Sequence, residues 1–178
     1  MTEIYQPPKI QHPVRYGVPE DVHHFMDLCV YCAEENGLTE FNTKKVLGEV
    51  WASLHHDHGI IGVIGEVGKP LEAGILLRID TMPYSDMPVL TERAIFIHPE
   101  FRASKGSGVR GGRVGRLCEF AKTAADTLEV PLLIGILSSH RAASKVRLYE
   151  RFFGEPAGAY WIYGAKTGTK EKAAEAAE

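Results

Sequence analysis

The chain has 178 residues, 44% of them hydrophobic and 24% charged. That suits one soluble domain with short extensions, large enough to bury a sizeable core. A formal net charge of −3 argues against wholesale nucleic-acid binding, and no apolar run reaches the ~18–20 residues of a membrane span. The first residues, MTEIYQPPKIQHP, hold no apolar signal core, so we expect a cytoplasmic protein. Three cysteines, Cys29, Cys32 and Cys118, give no disulfide framework.

Residues 1–13 are Pro-rich and predict an extended arm. Val14-Arg15-Tyr16-Gly17 is a candidate short strand, and Val18-Pro19-Glu20-Asp21 is a helix start with Pro and acids in its first turn. Val22, Phe25, Met26, Cys29, Cys32 and Ala33 then recur at helical spacing until Asn36-Gly37. Cys29 and Cys32 thus share one helix face, which favours a core role over a redox or zinc pair. A second helix begins near Asn42-Thr43 and ends at His55-His56-Asp57-His58-Gly59. Adjacent imidazoles at a helix end point in different directions, so we expect a wet surface or cleft edge there and no metal.

Two strands follow, IIGVIGE at 60–66 and LEAGILLRID at 71–80, joined by the turn Val67-Gly68-Lys69-Pro70. After the loop TMPYSDMP at 81–88 comes a third strand, LTERAIFIH, at 90–98. A long helix carries Val114, Leu117, Cys118, Ala121, Ala125 and Leu128. PLLIGIL at 131–137 predicts a strand buried on both faces of a sheet. Ala143, Val146, Tyr149, Phe152 and Phe153 mark a last helix, closed by Gly154, and AGAYWIY at 157–163 predicts a closing strand. The domain is expected to span 14–165, with a flexible tail at 166–178. Hairpins first, then strands alternating with helices, predict an α/β fold of the α+β type: a mixed, mostly antiparallel sheet flanked by helices.

Between the third strand and the long helix lies IFIHPEFRASKGSGVRGGRVGRL, residues 95–117. A strand, a loop dense in Gly and positive charge, and a helix N-terminus together suit a phosphate. Glycine lets backbone N–H groups turn toward an anion, and Arg102, Lys105, Arg110, Arg113 and Arg116 add full charges. One short Gly-Arg tract without interleaved aromatics is a weak RNA-binding signal. Gly106-x-Gly108 lacks the third spaced Gly of a dinucleotide site.

This order of elements, with this loop, resembles the GNAT superfamily of N-acetyltransferases. The match rests on four stretches: VRYGVPEDVHHFMDL at 14–28, the loop segment at 96–117, SKVRLYERFFG at 144–154 and the Ala-Tyr-Trp-Ile-Tyr strand. KVRLYERFFGEPAGAYWIYG looks most similar to bacteriophage and prophage versions. The resemblance implies a GNAT-like sheet, acetyl-CoA as cosubstrate, and an amine acceptor that is a small molecule or a protein. A homodimer is compatible with it. It places Phe96, Ile97 and His98 along the pantetheine arm, with Arg102, Arg110, Gly111, Gly112, Arg113 and Gly115 in the phosphate segment.

Two loop registers are open. Residues 110–115 put Arg113 where the family has its first Gly, whereas 102–108 has the glycines but one residue too many; the helical pattern following residue 115 favours the first. The family's frequent Asn is Ala142 here. Tyr149 matches the family's general acid. For the base, Glu92 and His98 share strand parity and would face one side, bulges permitting, and a water relay is the alternative. The acceptor is expected between the first two helices and the splayed strands, near His55, His56, Asp57, Glu92 and the acids of the 81–88 loop. The departures in the loop keep a rival in view, a catalytically degenerate binding or assembly module.

Overall fold

The computed structural model describes residues 13–36, 40–102, 112–136 and 142–158. Strand β1 (Val14–Tyr16) leads through a 3-10 turn (Pro19–Asp21) into α1 (Val22–Asn36) and α2 (Thr43–Leu54). Then come β2 (Gly59–Ile64), β3 (Ala73–Thr81) and β4 (Pro88–Ile97), a second 3-10 turn (Pro99–Phe101), α3 (Gly112–Leu128), β5 (Leu132–Leu133) and α4 (Ala142–Phe153). The five strands lie in sequence order; all neighbours are antiparallel except β4 and β5, which are parallel. This is the mixed, mostly antiparallel sheet that the sequence predicts. Residues 1–12 of the arm, the tail, Arg110, Gly111 and most of the expected closing strand lie outside the described residues.

Local chemistry explains the boundaries. Asn42 caps α2 by accepting the Lys45 N–H at 2.9 Å. Gly154 closes α4 with φ 83, in the left-handed region, its N–H reaching the Glu150 carbonyl at 3.0 Å. At the start of α1, buried Asp21 takes two bonds from Arg15, at 2.7 and 2.9 Å. It also accepts the Val18 N–H at 3.0 Å and the Gly68 N–H at 3.3 Å, while Arg15 Nε reaches the Gly65 carbonyl. One ion pair therefore ties β1, the helix start and the β2–β3 turn together.

The sheet buries both faces. Phe25, Leu28, Val50, Leu54, Ile61, Val63 and Leu76 pack on the α1/α2 side, with Ala94 and Phe96 against them. Ile64, Ala73, Ile75, Leu77, Leu90, Leu117 and Ala121 pack on the α3 side, with Ile95 and Ile97. Each full side chain buried there contributes about 2 kcal/mol. A glycine on each face lets a helix close in. A Cβ on Gly74 would stand 2.6 Å from the Phe25 ring, and one on Gly62 2.5 Å from Phe120.

Strand β4 carries a bulge. Leu77 pairs with Glu92 but Leu76 pairs with Ala94, so Arg93 is an extra residue. The bulge reverses the parity between the two halves of the strand: Leu90 and Glu92 face α3, whereas Ala94 and Phe96 face α1. The expectation that Glu92 and His98 face one side is thereby corrected. A second correction concerns 131–137. Among its described residues, 131–136, only Leu132 and Leu133 form a strand, and all six are at most half-buried, because β5 pairs with β4 at just two positions before the strands part.

Candidate active site

Parallel pairing between β4 and β5 consists of Leu90↔Leu132 and Thr91↔Leu133, supported by the Leu90 N–H on the Pro131 carbonyl at 2.8 Å. Beyond Thr91 the strands separate, and Glu92 stands at the vertex. Its Oε2 accepts the Gly135 N–H at 3.3 Å, so the side chain bridges the split where the backbone ladder ends. Burial pushes the Glu92 carboxyl up from the ordinary 4.5 to about 7, against the opposing pull of the Gly135 N–H. A carboxyl poised near neutrality suits proton transfer.

Tyr149 projects from α4 into the electrostatic range of that carboxyl. Its phenol is pushed far above its usual value, first by burial and then by the charges of Glu92 and Cys118. The hydroxyl therefore keeps its proton. Cys118, buried on α3, completes the group, its thiol pushed up to about 12 by burial and next by Glu92. Cys29 and Cys32 also rise to about 12, chiefly through burial, so these thiols stay protonated and unreactive. That agrees with a core role for the C-x-x-C pair. Among the described residues no group of three or more His, Cys, Asp or Glu could hold a metal.

His98 lies elsewhere. Its ring packs edge-on against Tyr31 of α1 at 5.0 Å and against Phe101 at 5.8 Å, and its Nδ1 accepts the Glu100 N–H at 3.4 Å. Its own N–H donates to the Glu72 carbonyl at 2.9 Å. It caps the 3-10 turn on the α1 side, across the sheet from Glu92. Phe96 faces the α1 side and Ile97 the α3 side, in the part of β4 that has no β5 partner among the described residues.

Arg102 and Arg113 of the phosphate segment have protein partners. Arg102 Nε donates to the Ile97 carbonyl at 3.1 Å, and its guanidinium pairs with Glu35. Arg113, second residue of α3, donates through Nε to Glu72 at 2.6 Å and through Nη1 to the Phe101 carbonyl at 3.0 Å. Its guanidinium also lies 5.1 Å from the Phe101 ring centroid. Gly112 begins the helix with φ 52, which a side chain would strain, and Gly115 is buried in the next turn.

The His-rich turn at the end of α2 is fixed by two contacts to the sheet. His56 packs against Tyr16 of β1 at 6.2 Å, and Arg78 donates to the Asp57 carbonyl at 3.0 Å. These contacts tie it to β1 and β3, while Asp80 before the 81–88 loop pairs with Arg93 at 2.7 Å. Sequence reasoning missed Glu72, the Arg93 bulge and the Gly135 N–H. Glu72 had a signal, an acid inside the apolar run LEAGILL; the other two had none.

No protein-family profile and no curated protein matches the chain. Solved structures do. AAC(6')-Iy in complex with the bisubstrate analogue CoA-S-monomethyl-acetylneamine aligns at TM-score 0.63 and 16% identity, covering 88% of this chain and 99% of that one. A predicted acetyltransferase with acetyl-CoA from Clostridium acetobutylicum aligns at 0.61 and 12%, covering 86% and 95%. A ribosomal-protein-alanine N-acetyltransferase from Brucella melitensis biovar Abortus 2308 aligns at 0.59 and 13%, covering 85% and 97%. The fold is that of the GNAT acetyltransferases. At these identities the likeness concerns architecture, and it spans nearly the whole of each matched chain. No helix among the described residues is long and apolar enough to cross a membrane.

Proposed function

We propose that the protein is an acyl-CoA-dependent N-acyltransferase, moving an acetyl group from acetyl-CoA to an amine in the cytoplasm. The observation that carries this is the β4/β5 split, with a near-neutral carboxyl at its vertex beside a phenol that keeps its proton. The matched fold holds acetyl-CoA or a CoA analogue in two of the structures named above. In this reading the acyl-pantetheine arm occupies the split along Phe96 and Ile97. Its pyrophosphate meets the N-terminus of α3 and the loop that contains Arg110 and Gly111.

The chemistry balances with two protein groups. The amine nitrogen attacks the thioester carbonyl carbon, and a C–N bond forms. Glu92 takes a proton from the attacking nitrogen, directly or through one water. The C–S bond breaks, Tyr149 gives its proton to the leaving sulfur, and the proton held by Glu92 returns to the phenolate through solvent, which restores both groups. A backbone N–H of β4 beyond the vertex steadies the carbonyl oxygen as negative charge grows on it. His98, on the far face, takes no proton in this scheme. The narrower likeness to bacteriophage versions rests on KVRLYERFFGEPAGAYWIYG alone.

One observation favours the second reading, a binding or assembly module on the same fold. Arg102 and Arg113 are both paired with carboxylates, which reduces the positive charge offered to a phosphate. Calorimetric titration with acetyl-CoA separates the two, followed by thiol-release assays on a panel of polyamines, amino sugars and peptide N-termini. Binding with turnover is the expected result. Absence of binding at millimolar acetyl-CoA would sink the enzyme reading; binding without turnover would establish the module.

A further inference from the structure

We infer that Arg113, the residue standing where the resembled family has a glycine, is a strut held by Glu72 that sets the position of the α3 N-terminus, and not a phosphate ligand. The inference rests on the reading of that terminus as the phosphate-binding end. Glu72 sits at a junction. Its N–H donates to Ile64 at the end of β2, its carbonyl accepts from His98 at the end of β4, and its side chain holds Arg113. It is 9% exposed, so its carboxylate requires a partner. Arg113 answers with its fork: Nε to Glu72, Nη1 to the Phe101 carbonyl, and the guanidinium plane near the Phe101 ring. Phe101 in turn contacts His98, whose N–H returns to Glu72. The network closes on itself around the first turn of α3.

A positive side chain at a helix N-terminus is electrostatically unfavourable, and a negative one is favourable. Glu72 reverses the sign at this end, and the pair together is nearly neutral. The anion-binding capacity of the terminus then comes from its backbone N–H groups. Their aim depends on where the strut holds them. Only a planar fork can make the Nε and Nη1 contacts together, so lysine cannot replace arginine as a strut, although it can replace it as a point charge.

That difference supplies the test. Glu72→Gln, Arg113→Lys and the double variant are titrated with CoA by calorimetry at two salt concentrations. Acetyl-CoA KM and kcat are measured where turnover exists, and exchange of the first-turn α3 amides is followed without ligand. The strut predicts that each single variant raises the CoA Kd and the KM by on the order of tenfold while kcat changes little. It further predicts that the double variant is no worse than either single, that the salt dependence is unchanged in the charge-conserving Arg113→Lys, and that first-turn amides exchange faster in all three. A phosphate-ligand role predicts the opposite sign for Glu72→Gln, tighter CoA binding because Arg113 is released, with Arg113→Lys close to wild type; that result overturns the inference. If wild-type protein binds no CoA, the enzyme reading fails separately. The strut is then decided by amide exchange alone, unchanged exchange in Glu72→Gln and Arg113→Lys refuting it.

Discussion

Replacing Glu92 by Gln should remove most of the pH dependence of stability between pH 5 and 8. In the folded chain this carboxyl is pushed by burial from the ordinary 4.5 to about 7. The native state therefore binds the proton more tightly than the unfolded chain does. The associated stability is fully present below 4.5 and is lost as pH rises through about 7. At roughly 1.4 kcal/mol per pH unit the full gap corresponds to about 3 kcal/mol. Glu92 is partly exposed, so water screens part of this and about 2 kcal/mol is expected. Gln keeps the shape and an oxygen for the Gly135 N–H but has no proton to lose. Urea denaturation of both proteins at half-unit steps from pH 5 to 8 reads the effect directly. Wild type should lose about 2 kcal/mol relative to the variant, and the variant should be the more stable protein at pH 8. Other titrating groups cancel in the difference. Parallel profiles for the two proteins, or a variant less stable at pH 8, would refute the placement of an uncompensated carboxyl at the vertex.

Tyr149→Phe should lower kcat by about 10²-fold while leaving the acetyl-CoA Kd within about twofold, measured by thiol release and calorimetry; an unchanged kcat removes Tyr149 from the chemistry. Asp21→Asn should cost about 3 kcal/mol at pH 7, because it leaves Arg15 without its counter-charge at a buried site. Burial alone would raise the Asp21 carboxyl, but the Arg15 hydrogen bonds, the Val18 and Gly68 N–H groups and the Arg15 charge outweigh it and hold it below 3.8. Its contribution is thus present above that value and fades as pH falls through the lowered one, so the Asn variant should show a weaker acid transition by circular dichroism. His58→Gly should raise stability by about 0.5 kcal/mol, since His58 is exposed with φ 51 and glycine relieves the left-handed strain at some cost in unfolded-chain entropy; a lower urea midpoint would count against strain at that turn.

What the sequence made legible follows from physics that is local. Helical spacing from Val22 to Ala33, the Asn42 cap and the glycine at 154 are properties of a few consecutive residues, and α1, α2 and α4 lie where those signals put them. The hairpin of β2 and β3 was readable from two apolar runs around a Gly-Lys-Pro turn. The length of β5 was not, because PLLIGIL is as apolar as a fully paired strand, and only its divergence from β4 shortens it. Partners distant in sequence were equally hidden. Glu72 and Arg113 are 41 residues apart, and Glu92 and Gly135 are 43 apart. Tyr149 could be nominated from its motif and Glu92, beside His98, from its place on the central strand. Their proximity is a consequence of how α4 packs beside the split.

The bulge at Arg93 ties these features together. Removing it in thought leaves Glu92 beside Leu77 and Ala94 beside Leu76 in unbroken alternation, so neither apolar face needs the extra residue. Core packing therefore does not explain it. A bulge bends its strand and increases local twist, and this one begins one position after Thr91, the last residue of β4 that pairs with β5. The bulge thus falls where the β4–β5 pairing ends, with Glu92 at the vertex and the Gly135 N–H as its hydrogen-bond donor. The irregularity that defeats a parity argument from sequence is the same one that stands at the split. A residue inserted without benefit to the core, at the point where the sheet divides, is the local cost of building the site proposed above.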